Sequence, residues 1–122
     1  MTTTAKGRTA EEAAAAFLTA RGWSVLARNH RTPAGELDLV CADGPVIVVV
    51  EVKARSDTQF GEALESIGPR KQRRLRASAA WWMAEQGWAG HSLRFDVVDV
   101  SLGDDGLPGS LTHLPDVLGS GR

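Results

Sequence analysis

Residues 46–53 read VIVVVEVK: five β-branched apolar residues in succession, then glutamate, valine and lysine. Strict alternation of apolar and polar residues would mark a strand with one wet face, but this run fits a strand covered on both faces, central in a sheet. The two charges that end it stand on one face of that strand and need a reason to be there. Upstream, ELDLVC at 36–41 and the turn signal ADGP at 42–45 predict a hairpin with the valine strand. Pairing Cys41 with Val46 would set Asp38 opposite Val49 and Glu36 opposite Glu51. Alternation then puts Glu36, Asp38, Glu51 and Lys53 on one face, an assignment that an odd-length loop would reverse.

The remaining segments supply layers for such a sheet. Thr9 and Glu12 have the form of a capping box, which predicts an alanine-rich helix over 10–21 stopped by Gly22. Glu11, Ala14, Ala15 and Leu18 share its inward stripe. Residues 23–29 read as a strand followed by a polar loop through His30, Arg31, Thr32 and Pro33. A short helix is expected around 62–66, and Pro69 at N1 opens a long helix to about Gln86 with Leu75, Ala79, Trp82 and Met83 buried. LRFDVVDV at 93–100 alternates as a strand, and SLTHLPDVL at 110–118 suggests a last short strand with a loop or helical turn. The order predicts an α/β fold, a mixed β-sheet flanked by helices. Residues 103–110 and 119–122, rich in glycine, are the expected mobile parts.

Composition narrows the function classes. A chain of 122 residues, 43% hydrophobic, is expected to form one domain over 1–122. The formal net charge of −1 gives no global attraction to nucleic acid, so such a partner must meet a local patch. The single cysteine, Cys41, excludes an internal disulfide and fits a packing role in a reducing cytoplasm, and three scattered histidines give no zinc spacing. The apolar run at 13–18 is too short to span a bilayer, and Glu11 and Glu12 stand where a signal peptide carries positive charge, so no membrane partner is expected.

Three carboxylates and an ammonium on one sheet face, with Glu11 on an adjacent helix, would repel strongly if desolvated. A hard divalent cation, Mg²⁺ or Mn²⁺, resolves that repulsion with one or two carboxylates, for which Asp38 and Glu51 are the natural pair. Lys53 is placed to orient a nucleophilic water and offset transition-state charge, which suits phosphodiester hydrolysis. The competing reading is plainer: Glu51 and Lys53 as an exposed ion pair at a frayed strand end, and Asp38 as a solvent-facing hairpin residue.

Glu-x-Lys closing an apolar strand, with an aspartate on the preceding hairpin strand, resembles the PD-(D/E)xK signature of restriction-endonuclease-like nucleases. The ordered blocks AEEAA, RNHRTPAGELDLV, VVVEVKARSDTQFGEA, KQRRLRASAAWW and RFDVV are similar to the YraN family of small bacterial proteins. The likeness covers residues 7–100 and leaves 101–122 as a C-terminal tail. It implies a restriction-endonuclease-like three-layer core related to archaeal Holliday junction resolvases, with metal-dependent cleavage. Carried over by position, the catalytic set is Glu11, Asp38, Glu51 and Lys53, with Asp38 and Glu51 as metal ligands. Leu37 stands where the superfamily signature has proline. Ala10 stands where the family would have glycine, which leaves Glu12 as the alternative to Glu11.

Around that site, Glu36 is an accessory carboxylate or an edge residue paired with Arg31 or Arg55. Arg55 is a phosphate contact or a solvated loop residue, and Gln59 is a weaker candidate for the site. Arg70, Lys71, Arg73 and Arg74 belong to the one dense basic stretch, which reads as a nucleic-acid contact or a solvated helix face. Of Trp81 and Trp82, about 100° apart on a helix, one fills the core and the other faces a dimer partner, the sheet edge or solvent, base stacking being the least supported role. Arg94 and Asp96 are expected to brace the sheet. Two functions remain open: a Mg²⁺- or Mn²⁺-dependent endonuclease on DNA, including branched or junction DNA, or a noncatalytic module that keeps the fold to bind nucleic acid or a protein. A homodimer follows from analogy with resolvases, which need two active sites.

Overall fold

The computed structural model describes residues 5–56 and 67–118. Helix α1 (Ala5–Ala20) is followed by strands β1 (Ser24–Thr32), β2 (Gly35–Asp43) and β3 (Val46–Ser56), helix α2 (Pro69–Gln86), and strands β4 (Leu93–Leu102) and β5 (Pro108–Leu114). One sheet runs β1-β2-β3-β4-β5, antiparallel except for the parallel pair β3–β4. Parallel neighbours need a crossover, and α2 lies within it. The short helix expected around 62–66, Gln59 and the tail 119–122 fall outside the described residues.

The apolar run on β3 is covered from both sides, as its composition requires. Val48 and Val50 share a buried cluster with Ala14, Ala15 and Leu18 of α1. Ile47 and Val49 pack on the other face with Leu75, Ala79, Trp82 and Met83 of α2. One helix on each face of a mixed sheet gives the three-layer α/β core that the sequence implied.

Several boundaries differ from the sequence expectations for local reasons. Helix α1 begins by Ala5, so Thr9 is no cap: its hydroxyl donates to the Ala5 carbonyl one turn back at 3.0 Å. The helix does stop at Gly22, whose φ of 94° lets the Gly22 and Trp23 amides reach the Thr19 and Leu18 carbonyls. Strand β1 continues through His30 and Arg31 to Thr32, where a loop was expected. The turn after it is held by the Thr32 hydroxyl oxygen, which accepts from the amides of Ala34 (3.1 Å) and Gly35 (3.0 Å).

The β2–β3 register is slipped by two residues from the expected one: Asp43 pairs with Val46 and Cys41 with Val48. A two-residue turn with positive φ at Gly44 (58°) replaces the four-residue loop. Because the slip is even, the face assignment on β3 survives. Residues 103–107, expected to be mobile, form a bonded turn in which the Gly103 amide donates to Leu107 and the Gly106 amide to Gly103, both at 2.9 Å.

One buried ionic array ties the C-terminal strand to the core. Asp96 on β4 accepts bonds from Arg94 Nε (2.9 Å) and Nη2 (3.0 Å), from His113 Nε2 on β5 (2.7 Å) and from the Asp116 amide (2.9 Å). Arg21 at the end of α1 reaches His113 Nδ1 at 2.8 Å. A guanidinium only donates, so Nδ1 accepts and Nε2 carries the proton given to Asp96. Arg94 also lies over Trp23, 5.5 Å from the ring centroid. The expected brace of Arg94 and Asp96 is therefore present, with His113 and Arg21 extending it. Replacing Asp96 with alanine leaves Arg94 without its buried counter-charge and should cost about 3–5 kcal/mol, read as a lower urea midpoint at unchanged m-value.

Candidate active site

Asp38 sits where β2 parts from β3. The paired register between the two strands ends at Leu39 with Val50, and beyond it the Asp38 Oδ2 accepts the Val52 amide at 2.9 Å. A side-chain oxygen thus satisfies the amide that a strand carbonyl would otherwise take. Side-chain alternation also breaks here: Leu37 joins Val40 in the cluster under α2, while Leu39 and Cys41 belong to the cluster under α1. Asn29, between the pairs Arg28 with Leu39 and His30 with Leu37, has a φ of 48°, and the register is the same on either side of it; the shift in this ladder lies between Val25 and Ala27.

Glu51 and Lys53 leave β3 on the face covered by α2, and Glu51 is buried. Its Oε2 lies 2.6 Å from Lys71 Nζ of α2 and 3.8 Å from Lys53 Nζ. Two lysines therefore share one carboxylate oxygen. Sequence reading placed Lys71 among phosphate contacts. Its role as the partner of Glu51 was hidden in the basic run, although its spacing of four from buried Leu75 marks the inward side of the helix.

Asp38, Glu51, Lys71 and Glu36 line one cleft of about 360 Å³ with Gly35, Arg74, Leu75 and Ser78. Gly35 has φ of 153°, and a Cβ there would stand 3.0 Å from the Ser78 hydroxyl oxygen, so the β1–β2 hairpin tip closes on α2. Glu11 comes from the layer beyond the sheet. Its pKa is raised, first by burial and then by Glu36 and Glu51, while a hydrogen bond from Asn29 opposes the shift. Glu12 is exposed, so Glu11 is the helix carboxylate that faces the cluster.

Electrostatics mark this cleft. Burial, followed by the negative charge of Glu51, pushes Asp38 up to about 7, against the Val52 amide bond that favours its ionised form. Burial lowers Lys53, and neighbouring Lys71 lowers it further. Burial opposes the charge of Lys71 too, but its bond with Glu51 wins and raises its pKa. Two desolvated carboxylate groups that repel each other are a donor set suited to a hard divalent ion. Among the described residues no three His, Cys, Asp or Glu side chains gather closely enough to hold a metal by themselves. Asp38 and Glu51, the two carboxylates expected to hold such an ion, line the same cleft.

The other candidates separate. Arg55 is a strand residue whose guanidinium clasps Asp99 of β4, with Nε at 2.9 Å from Oδ1, which replaces the solvated loop position that was one of its two readings, beside a phosphate contact. Asp99 was missed, although its place beside Lys53 in the parallel register puts it on the site's face. Arg74 lines the cleft and Arg70 is exposed on the same flank of α2. Arg73 is exposed and does not line the cleft. Cys41 is buried and its thiol is pushed up to about 11 by burial, which fits packing. Trp82 fills the core and Trp81 is exposed.

The family model described as "Uncharacterised protein family UPF0102" matches residues 10–100. A UPF0102 protein of Anaeromyxobacter dehalogenans (strain 2CP-C) is 47% identical over 119 residues, 97% of this chain and 87% of that protein. One from Moorella thermoacetica is 48% identical over 102 residues, 84% of this chain and 85% of its own length. A third, from Frankia alni, is 52% identical over 97 residues, 80% of this chain and 81% of its own.

The raised Asp38 carboxyl has a sign that can be checked. Its ordinary value is 3.8 and its folded value about 7, so the folded state holds the proton more tightly and stability falls as pH rises through that window. Asp38→Asn keeps an oxygen for the Val52 amide and removes the penalty. In EDTA it should stabilise the protein by on the order of 2 kcal/mol at about pH 8 and by almost nothing near pH 4, measured by urea unfolding at both pH values.

Proposed function

This chain belongs to the UPF0102, or YraN, family, and we propose that it is a metal-dependent nuclease hydrolysing phosphodiester bonds in DNA, branched or junction DNA included. The family designation specifies no activity, so the reading rests on the site. The observation that carries it is the desolvated Asp38–Glu51 pair with Lys53 beside it, held where β2 parts from β3.

Asp38 and Glu51 would hold Mg²⁺ or Mn²⁺, and the bound ion supplies charge stabilisation at the scissile phosphate and a more acidic water. Lys53 positions that water. Because burial and Lys71 weaken its hold on a proton, Lys53 is also suited to accept one as the water oxygen bonds to phosphorus and the P–O bond to the leaving oxygen breaks. The leaving oxygen takes its proton from solvent. Lys71 fixes the Glu51 carboxylate, Glu11 adds negative charge at the rear of the cluster, and Arg70 and Arg74 stand where flanking phosphates would pass. A homodimer would bring two such sites to a branched substrate.

A second reading, a noncatalytic nucleic-acid or protein-binding module, is favoured by one observation: the Glu51 oxygen is already engaged by Lys71 at 2.6 Å. One assay panel separates the two. Wild type, Asp38→Ala and Lys53→Ala are incubated with single strands, duplex, flaps and four-way junctions in Mg²⁺, Mn²⁺ or EDTA. Cleavage by wild type only with metal, slowed at least about 100-fold in each variant, is the expected result. A wild type that cuts nothing, or cuts equally in EDTA, sinks the nuclease reading; salt-sensitive binding that survives Asp38→Ala without cleavage supports the module.

A further inference from the structure

The basic helix α2 has two unlike flanks. Arg76 is turned to the far side, with Nη2 at 2.6 Å from the Leu118 carbonyl and the guanidinium over Phe95. On the near side Arg70, Arg74 and Trp81 fall at intervals of four and seven residues, within about 40° of one another around the helix. Arg74 lines the cleft. Trp81 is 47% exposed, whereas Trp23 and Trp82 are buried and Trp88 is half-buried against Trp82. Glu85, one turn beyond Trp81 and the one acid of α2, is drawn to His30 of β1 at 3.2 Å.

We propose that Trp81 is a stacking platform for an unpaired base, with Arg74 and Arg70 taking phosphates of the same strand, so that the ligand is a nucleic acid with a single-stranded segment lying along α2. This deepens the nuclease reading and rests on it for the cleft as the place of cleavage. The stripe favours this occupant by charge and by chemistry. Two guanidiniums in line with an open indole along one helix flank match a polyanion that carries flat apolar rings. Paired bases inside a duplex have both faces covered, whereas an unpaired base has a face free for the indole. Arg74 and Trp81 are separated by about 10 Å of helix rise, short enough for neighbouring nucleotides of one strand to reach both. The carboxylates lie deeper in the cleft, so the strand's phosphates meet arginine first.

Binding can be measured apart from cleavage. The full chain is titrated in EDTA into fluorescein-labelled oligothymidine and into a hairpin duplex with the same number of phosphates. Wild type should prefer the single strand. Trp81→Ala should weaken single-strand binding about tenfold and duplex binding by less than about twofold, and Trp81→Phe, which keeps an aromatic face, should recover most of the loss. Absence of single-strand binding by wild type, unchanged single-strand affinity in Trp81→Ala, or equal loss on both ligands overturns the proposal. So does a change of oligomeric state in Trp81→Ala by sedimentation at unchanged affinity, which would make the face a self-association surface. Trp81-dependent binding with no cleavage in Mg²⁺ removes the nuclease reading and leaves the strand-binding face; metal-dependent cleavage with Trp81-independent binding does the reverse.

Discussion

Burial of β3 on both faces is the constraint from which the rest of this molecule follows. A strand with valine and isoleucine on each side cannot stop at a hairpin. It needs α1 over Val48 and Val50, α2 over Ile47 and Val49, and β4 along its second edge. The same burial raises the cost of any charge at the strand's end. Glu51 and Lys53 continue the strand's alternation to its end, where the neighbouring layers bring charged groups of their own. Lys71 comes from α2, Asp38 from the end of the β2–β3 pairing and Asp99 from β4. The sheet's interior and its charged rim are one continuous structural fact.

Within the rim, burial acts on acids and amines in opposite directions. It lifts Asp38 toward its neutral form and pulls Lys53 toward its own. Glu51 and Lys71 are matched by direct contact at 2.6 Å. The cleft therefore sets a raised carboxyl and a lowered ammonium beside a direct carboxylate–ammonium contact.

Much of this was legible in the sequence because the strongest signals were local and stereochemical. Gly22, Pro69, the turn around Gly44 and the valine run each admit few backbone solutions, and each stands where it was expected to act. The face shared by Glu51 and Lys53 survived a two-residue error in register because alternation has period two, whereas Asp38, beyond the last pair of the ladder, joins them through its bond to the Val52 amide. The misses have physical causes. The Thr9 hydroxyl can cap a helix or bond back one turn, and only the chain before it decides. His30, Arg31 and Thr32 looked like a loop because polar edge residues carry no apolar pattern, although β2 pairs with them. The Glu51–Lys71 contact crosses layers, and so does the link from Asp96 to His113; no sequence period encodes such distances.

The meeting of Gly35 with Ser78 fixes one wall of the cleft. A single added carbon at Gly35 would press on the Ser78 hydroxyl at 3.0 Å, and the φ of 153° there is one that residues with side chains rarely adopt. The hairpin tip and the helix are thus spaced by a missing methyl group. That side of the cleft is closed by a contact too tight for one more carbon, made by backbone and a buried serine, neither of which can swing aside as a long surface side chain could.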